Sequence, residues 1–335
     1  MSKAQQLKDF SKFLKKVTLF IVVSFPLLYL ADIFYSSRVV NKLDEKPMWI
    51  LSKKNQKYDY AILGSSRAFN NFSVDDADSL MHTKGINLGV SASAFPQNLL
   101  CLDQFYRNGN SIKTLIVQVD AKGFQPPSIA YTYPFYDFCY FHLLGKSEFT
   151  DSIFKANTPP TLKYYFRRTM PFFKYAEFNN KYPAFHVATR FNYMFEKKNG
   201  FDYGSGSKLL TGNQDTEEQY LKSSKEHLAL NTQKDTLAVE PEMKNTLIKI
   251  VSLARGHNTK VIFFTSPMLS PFNDNAEELY KHVDKIAEAN NVTYFKMMKD
   301  SVSEFRTLFY DGGHLNKEGA KAFTLRFCRK IISNK

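Results

Sequence analysis

Ser66, Asp311 and His314 are the side chains of this chain whose types and spacing suit covalent chemistry. A serine hydroxyl attacks a carbonyl carbon once a base takes its proton, and an imidazole serves as that base when a carboxylate fixes its tautomer. Asp311 stands three positions before His314 in Asp311-Gly312-Gly313-His314-Leu315-Asn316, so one turn of loop brings carboxylate to ring. Ser66 lies in Ala61-Ile62-Leu63-Gly64-Ser65-Ser66-Arg67-Ala68, where an apolar run ends in glycine and two hydroxyls. Together they read as an acyl-transfer set, with the backbone N–H groups of Ser66 and Gly89 as the expected oxyanion donors. Arg67 and Asp120 are candidates for contact with substrate, and Arg67 has a plainer reading as a solvated or loop-anchoring residue.

Each motif also has an ordinary reading. Gly-Ser-Ser can be a strand-ending turn, and Asp-x-x-His a surface turn or two ligands of a metal. A metal needs more ligands, yet His82, His142, His186, His227, His257 and His282 form no HxxxH or HxH group. No metal or other cofactor is therefore expected. Gly64-x-Ser66-x-Ala68 also nearly fits the nucleophile elbow of α/β-hydrolases, but there the serine follows several strands, and here it ends the first.

The elements that position these residues follow a strand-then-helix rhythm. Tyr58–Leu63 reads as a buried strand that Gly64 ends, 84–90 as a second, Thr114–Val119 as a third, Lys260–Thr265 as a fourth and Val292–Lys296 as a fifth. Apolar strands alternating with helices predict a parallel sheet covered on both faces. Helices are expected over Gln97–Tyr106, from Pro241 to a stop at Gly256, over Ala276–Asn290, and from an Asn316 cap onward with Ala320, Phe323, Phe327 and Ile331 inward.

With 335 residues and 44% hydrophobic content, the chain can bury one large core. Cys101, Cys139 and Cys328 are too widely spaced for a zinc site or a disulfide framework. The net charge of +13 is spread along the chain without a nucleic-acid-binding motif, so anionic headgroups or glycans are the expected counterpart, not nucleic acid. Residues 17–36 form an apolar run long enough for a bilayer core of roughly 30 Å, behind a basic tail, 1–16. This predicts a signal anchor in the lipid bilayer, with the amino terminus cytoplasmic. Residues 37–57 read as a charged stalk with Pro47 and Trp49 at headgroup level, and 58–335 as an extracytoplasmic domain. An aromatic and basic insertion, Pro126–Lys198 within a wider 126–240, reads as a lid or interfacial surface at the catalytic edge of the sheet, and 199–214 as a loop or mobile linker.

On these motifs the chain resembles the SGNH, or GDSL-type, hydrolase and acyltransferase superfamily. Gly64-Ser65-Ser66-Arg67 is similar to its first block in the Gly-Ser-Ser form of membrane-anchored members. Gly89 in Asn87-Leu88-Gly89 stands where the second block supplies an oxyanion glycine, and Asp311-x-x-His314-Leu-Asn-x-x-Gly319 matches the last block. The third block's asparagine is missing, Val119-Asp120-Ala121-Lys122 standing in its place. The resemblance implies an α/β three-layer sandwich with a central parallel sheet of about five strands. It implies Ser66, His314 and Asp311 as nucleophile, base and acid of a serine acyltransferase or esterase in a bacterial cytoplasmic membrane. Similar members include the D-alanyl transfer protein and polysaccharide O-acetylation proteins, which implies an acylated glycan or cell-surface polymer as substrate and a multi-spanning membrane O-acyltransferase as partner. A catalytically weak scaffold subunit of such a system is the alternative.

Alkaline phosphatase fused to the carboxyl end is expected to be active in cells. Activity of a reporter that works only in the cytoplasm would overturn the extracytoplasmic placement.

Overall fold

The computed structural model describes residues 3–38, 46–124, 203–213, 217–230, 239–273 and 276–334. The aromatic insertion expected at 126–198 lies outside the described residues. Helix α1, Lys3–Arg38, is unbroken, so the lysine-rich start is helical and continuous with the apolar run. Its 26-residue portion Gln5–Leu30 contains an 18-residue stretch of mean hydropathy 1.8 and is long and apolar enough to cross a membrane.

The folded body, whose described residues are 46–124 and those from 203 onward, belongs to a compact unit of its own. It is α/β, with β1 (Lys57–Leu63), β2 (Gly85–Asn87), β3 (Ser111–Gln118), β4 (Lys260–Phe264) and β5 (Thr293–Phe295) in one parallel sheet of order β2-β1-β3-β4-β5. Register is set by pairs such as Ile62 with Asn87 and Ile116, Val117 with Phe263, and Phe264 with Phe295. Between β1 and β3 the strand order reverses direction. In open parallel sheets such a reversal leaves a crevice at the carboxyl ends of the strands.

The helices of this body are α2 (Lys46–Ser52), α3 (Ser66–Asn71), α4 (Val74–Met81), α5 (Phe95–Arg107), α6 (Glu217–Leu230), α7 (Pro241–Gly256), α8 (Ala276–Ala289) and α9 (Lys317–Ser333). Alternation along the strands sends Tyr60, Ile62, Ile116, Ile262 and Phe264 to one face, where they meet Val74 and Ala77 of α4 and Ala320, Phe323 and Phe327 of α9. The alternate residues Ala61, Leu63, Leu115, Val117 and Phe263 are equally buried. Rings of Phe72, Phe264 and Phe295 pack on Phe327 at centroid distances of 6.1, 5.0 and 5.4 Å. Helix α9 thereby docks on α3 and α4. Its start is fixed by Asn316, whose Oδ1 accepts the Gly319 N–H at 3.0 Å.

One expectation changes here. The stalk does not extend to residue 57: α2 packs against α5, with Trp49 only 8% exposed and Ile50 fully buried. Lys46 is buried with it, which pushes its pKa well down. Its Nζ donates to Asn87 O at 2.7 Å and to Gly206 O, and lies 4.1, 5.0 and 5.1 Å from the ring centres of Trp49, Phe69 and Tyr203. Two carbonyls and three ring faces around its Nζ let this segment join the core. Of the two readings of 199–214, loop or mobile linker, the described part is a loop tied to the body. In its described part, Ser205 O accepts from Asn87 N–H at 2.9 Å, Lys208 N–H donates to Phe69 O at 3.0 Å, and Leu210 O accepts from Lys317 N–H at 2.7 Å.

Phe327→Ala is expected to lower stability by about 3–5 kcal/mol through the cavity left among these rings. Urea unfolding of the full chain in detergent checks this; a loss comparable to an exposed substitution would contradict the packing described.

Candidate active site

β1 delivers the chain to the carboxyl edge of the sheet, and Gly64 makes the turn there. Its φ is +154°, and a Cβ would lie 2.8 Å from the Gln118 Cβ, so no side chain fits. Ser65 caps α3, its Oγ accepting from Arg67 N–H at 3.4 Å. The same hydroxyl faces two acceptors, Asp120 Oδ2 at 2.9 Å and Gln118 Oε1 at 3.1 Å. Ser66 is therefore the first residue of α3, and its N–H has no acceptor within the helix.

The loop before α9 brings the other two groups. His314 Nε2 lies 2.8 Å from Ser66 Oγ, and His314 Nδ1 lies 2.8 and 2.9 Å from the two Asp311 carboxylate oxygens. The carboxylate also accepts the backbone N–H groups of Gly313 and His314, both at 2.8 Å. Burial raises the Asp311 pKa, but the bond and charge of His314 and those two N–H groups outweigh it, and the net direction is down. The His314 and Asp311 side chains remain 26% and 28% exposed, so both can be reached from solvent. The three expected side chains thus converge, with Nδ1 held by the acid and Nε2 turned to the hydroxyl. That arrangement can take the Ser66 proton as Oγ attacks an acyl carbon.

The remaining candidates fall differently. Gly89 N–H donates to Asn87 Oδ1 at 2.8 Å, so it is engaged inside the protein rather than presented to an oxyanion. Its glycine is required by close approach, since a Cβ would sit 2.8 Å from the Phe69 backbone nitrogen. Asp120 is buried and accepts from Ser65 Oγ, from Gly123 N–H at 3.1 Å and from Gln118 Nε2 at 3.2 Å, so it organises the turn rather than awaiting substrate. Of its two plainer readings, solvated or loop-anchoring, Arg67 takes the loop-anchoring one. It is buried, anchors the Ser266 carbonyl through Nη2, and has its pKa lowered by burial against the opposing pull of Asp120 and Asp311.

Two residues escaped the sequence reading. Asn71 and Ser266 are fully buried beside the triad, the Asn71 Nδ2 donating to Ser266 Oγ at 2.7 Å. The one available signal was an Asn-Asn pair amid apolar residues just after the nucleophile. Among the described residues, no group of three or more His, Cys, Asp or Glu side chains is placed to hold a metal ion. No family model and no curated protein matches the chain.

The depressed Asp311 pKa sets a pH window. A carboxyl whose folded value lies below its unfolded value, about 3.9, contributes stability that is full above that value and lost as pH falls through the folded one. The melting-temperature gap between wild type and Asp311→Asn is therefore expected to be widest above about pH 4 and to close in stronger acid. A gap that does not change with pH would contradict the ionised Asp311 pair.

Proposed function

We propose that this chain is a membrane-anchored serine acyltransferase or esterase of SGNH type, acting on O-acyl groups of a cell-surface glycan or polymer. One observation carries it: the Asp311–His314–Ser66 relay, with both hydrogen-bonded contacts at 2.8 Å, assembled from segments 248 positions apart. Sheet order and burial on both strand faces support the three-layer SGNH-like reading. Helix α1 supports a single-pass anchor in a bacterial cytoplasmic membrane, with the catalytic body outside.

In this mechanism Ser66 Oγ bonds to the acyl carbon while His314 Nε2 takes its proton. The Ser66 N–H faces the oxyanion, Asp311 stabilises the imidazolium, and the ester C–O bond breaks as His314 returns the proton to the leaving alkoxide. A sugar hydroxyl or water then repeats the sequence on the acyl-serine, regenerating Ser66. A multi-spanning membrane acyltransferase is the partner that would supply the acyl group.

A second reading, a catalytically weak scaffold subunit, draws on the engaged Gly89 N–H and on a Gln118 amide turned toward Asp120. Each missing oxyanion donor costs about 100- to 1000-fold in rate. Free-standing turnover of simple esters is accordingly expected to be slow.

A fluorophosphonate probe is expected to label wild-type chain at Ser66, to leave Ser66→Ala unlabelled, and to label His314→Ala at least about 1000-fold more slowly. A folded wild-type chain that resists the probe would decide for the scaffold reading.

A further inference from the structure

We propose that Asn71 is the positioning residue that sets the reach between base and nucleophile, an inference that rests on the acyl-transfer reading of this site. Asn71 ends the short helix that Ser66 begins, and its side chain is fully buried. Its Nδ2 donates to Gly313 O at 3.2 Å, and its Oδ1 accepts from Leu315 N–H at 2.9 Å. Those two groups belong to the residues on either side of His314. One side-chain amide therefore grips the backbone before and after the base, as a neighbouring strand would. The second Nδ2 hydrogen goes to Ser266 Oγ, whose carbonyl Arg67 of the same helix holds, so α3 fastens the β4 exit loop as well.

The geometry separates two jobs within the relay. Asp311 and His314 orient each other inside one short loop, and that loop is also tied to the β4 exit by Leu269 N–H to Gly312 O at 3.1 Å. Neither contact fixes the ring relative to Ser66. Among the described residues, the hydrogen bonds between α3 and the His314 loop are those of Asn71 and the Ser66–His314 bond itself. Attack requires alignment within a fraction of an ångström, and a 1 Å displacement costs about 100-fold. Asn71 supplies that alignment from the element that carries the nucleophile.

The test compares full-length wild type, Asn71→Ala and Thr324→Val in detergent. Thr324, buried on α9, accepts the Ser73 N–H at 2.9 Å, and its replacement removes a buried polar contact without touching either catalytic segment. Fluorophosphonate labelling of Asn71→Ala, measured below the melting range, is expected to fall about 100-fold while its downfield His314 Nδ1–H resonance persists; Thr324→Val should label within about twofold of wild type. Labelling of Asn71→Ala at the wild-type rate would overturn the proposal, as would loss of labelling together with that resonance, which would mean a collapsed loop. A second readout needs no activity. The ¹⁵N shift of His314 Nε2 should respond to Ser66→Ala in the wild-type background and not in the Asn71→Ala background. An equal response in both would sink the proposal, and a wild-type chain that resists the probe yet shows this pattern would sink the acyltransfer reading alone.

Discussion

The docking of α9 on α3 and α4 is the contact on which the site depends. It carries the loop of Asp311 and His314 from the far end of the chain to the first strand's exit, and aromatic burial drives it: Phe72 follows α3, Phe264 ends β4, and both meet Phe327. Burying such rings is worth a few kcal/mol each, more than the hydrogen bonds of the relay add. Apolar packing therefore brings the two ends together, and polar contacts only refine the distance. The side chains of Ser66, Asp311 and His314 can be partly exposed because aromatic packing, more than their own contacts, holds the docked helix.

Much of the sheet was legible because parallel strands buried on both faces read as unbroken apolar runs. The Pro241 start, the Gly256 stop and the Asn316 cap were legible for local reasons of ring geometry and backbone hydrogen bonding. The triad was legible because a serine after a strand and an Asp-x-x-His before a last helix are both sequence-local patterns. Helix α4 had a readable signal that went unused: Ser73 accepts from Asp76 N–H at 3.3 Å, with Asp75 and Asp76 in the first turn. Helix α3 carries only its Ser65 cap, and α2 and α3, of seven and six residues, gain their stability from tertiary contact.

What could not be read was which backbone and side-chain groups would already have partners. Gly89 has the residue type and strand-end position of an oxyanion donor, yet Asn87, two residues earlier, folds back on its N–H and donates through Nδ2 to Ala68 O at 2.8 Å. That contact satisfies one of the carbonyls that the short α3 leaves open at its end. The sequence distance is two, but the reason is the approach of another element. Arg67 shows the same thing in reverse. A surface-type residue is buried because a carbonyl at Ser266 and two acidic side chains compensate its charge.

These choices leave a site whose proton relay is fully built while its oxyanion pocket is sparse. The relay's parts are held by short local loops and by one helix, whereas the Gly89 N–H, the second expected oxyanion donor, is drawn into the scaffold around α3. The contacts of that scaffold have a structural logic. Gln118 closes the space over Gly64 through Ser65 and Asp120, and Asn87 joins β2, α3 and, through its carbonyl, the Lys46 ammonium group. The same residue thus links the nucleophile's helix to the segment that follows the anchor. Since catalysis scales with what is stabilised in the transition state, a site so arranged would, on the acyl-transfer reading proposed above, favour an activated acyl donor over an ordinary ester. Within that proposal, transfer from a reactive donor fits better than broad hydrolysis, because of which N–H groups the packing has already engaged.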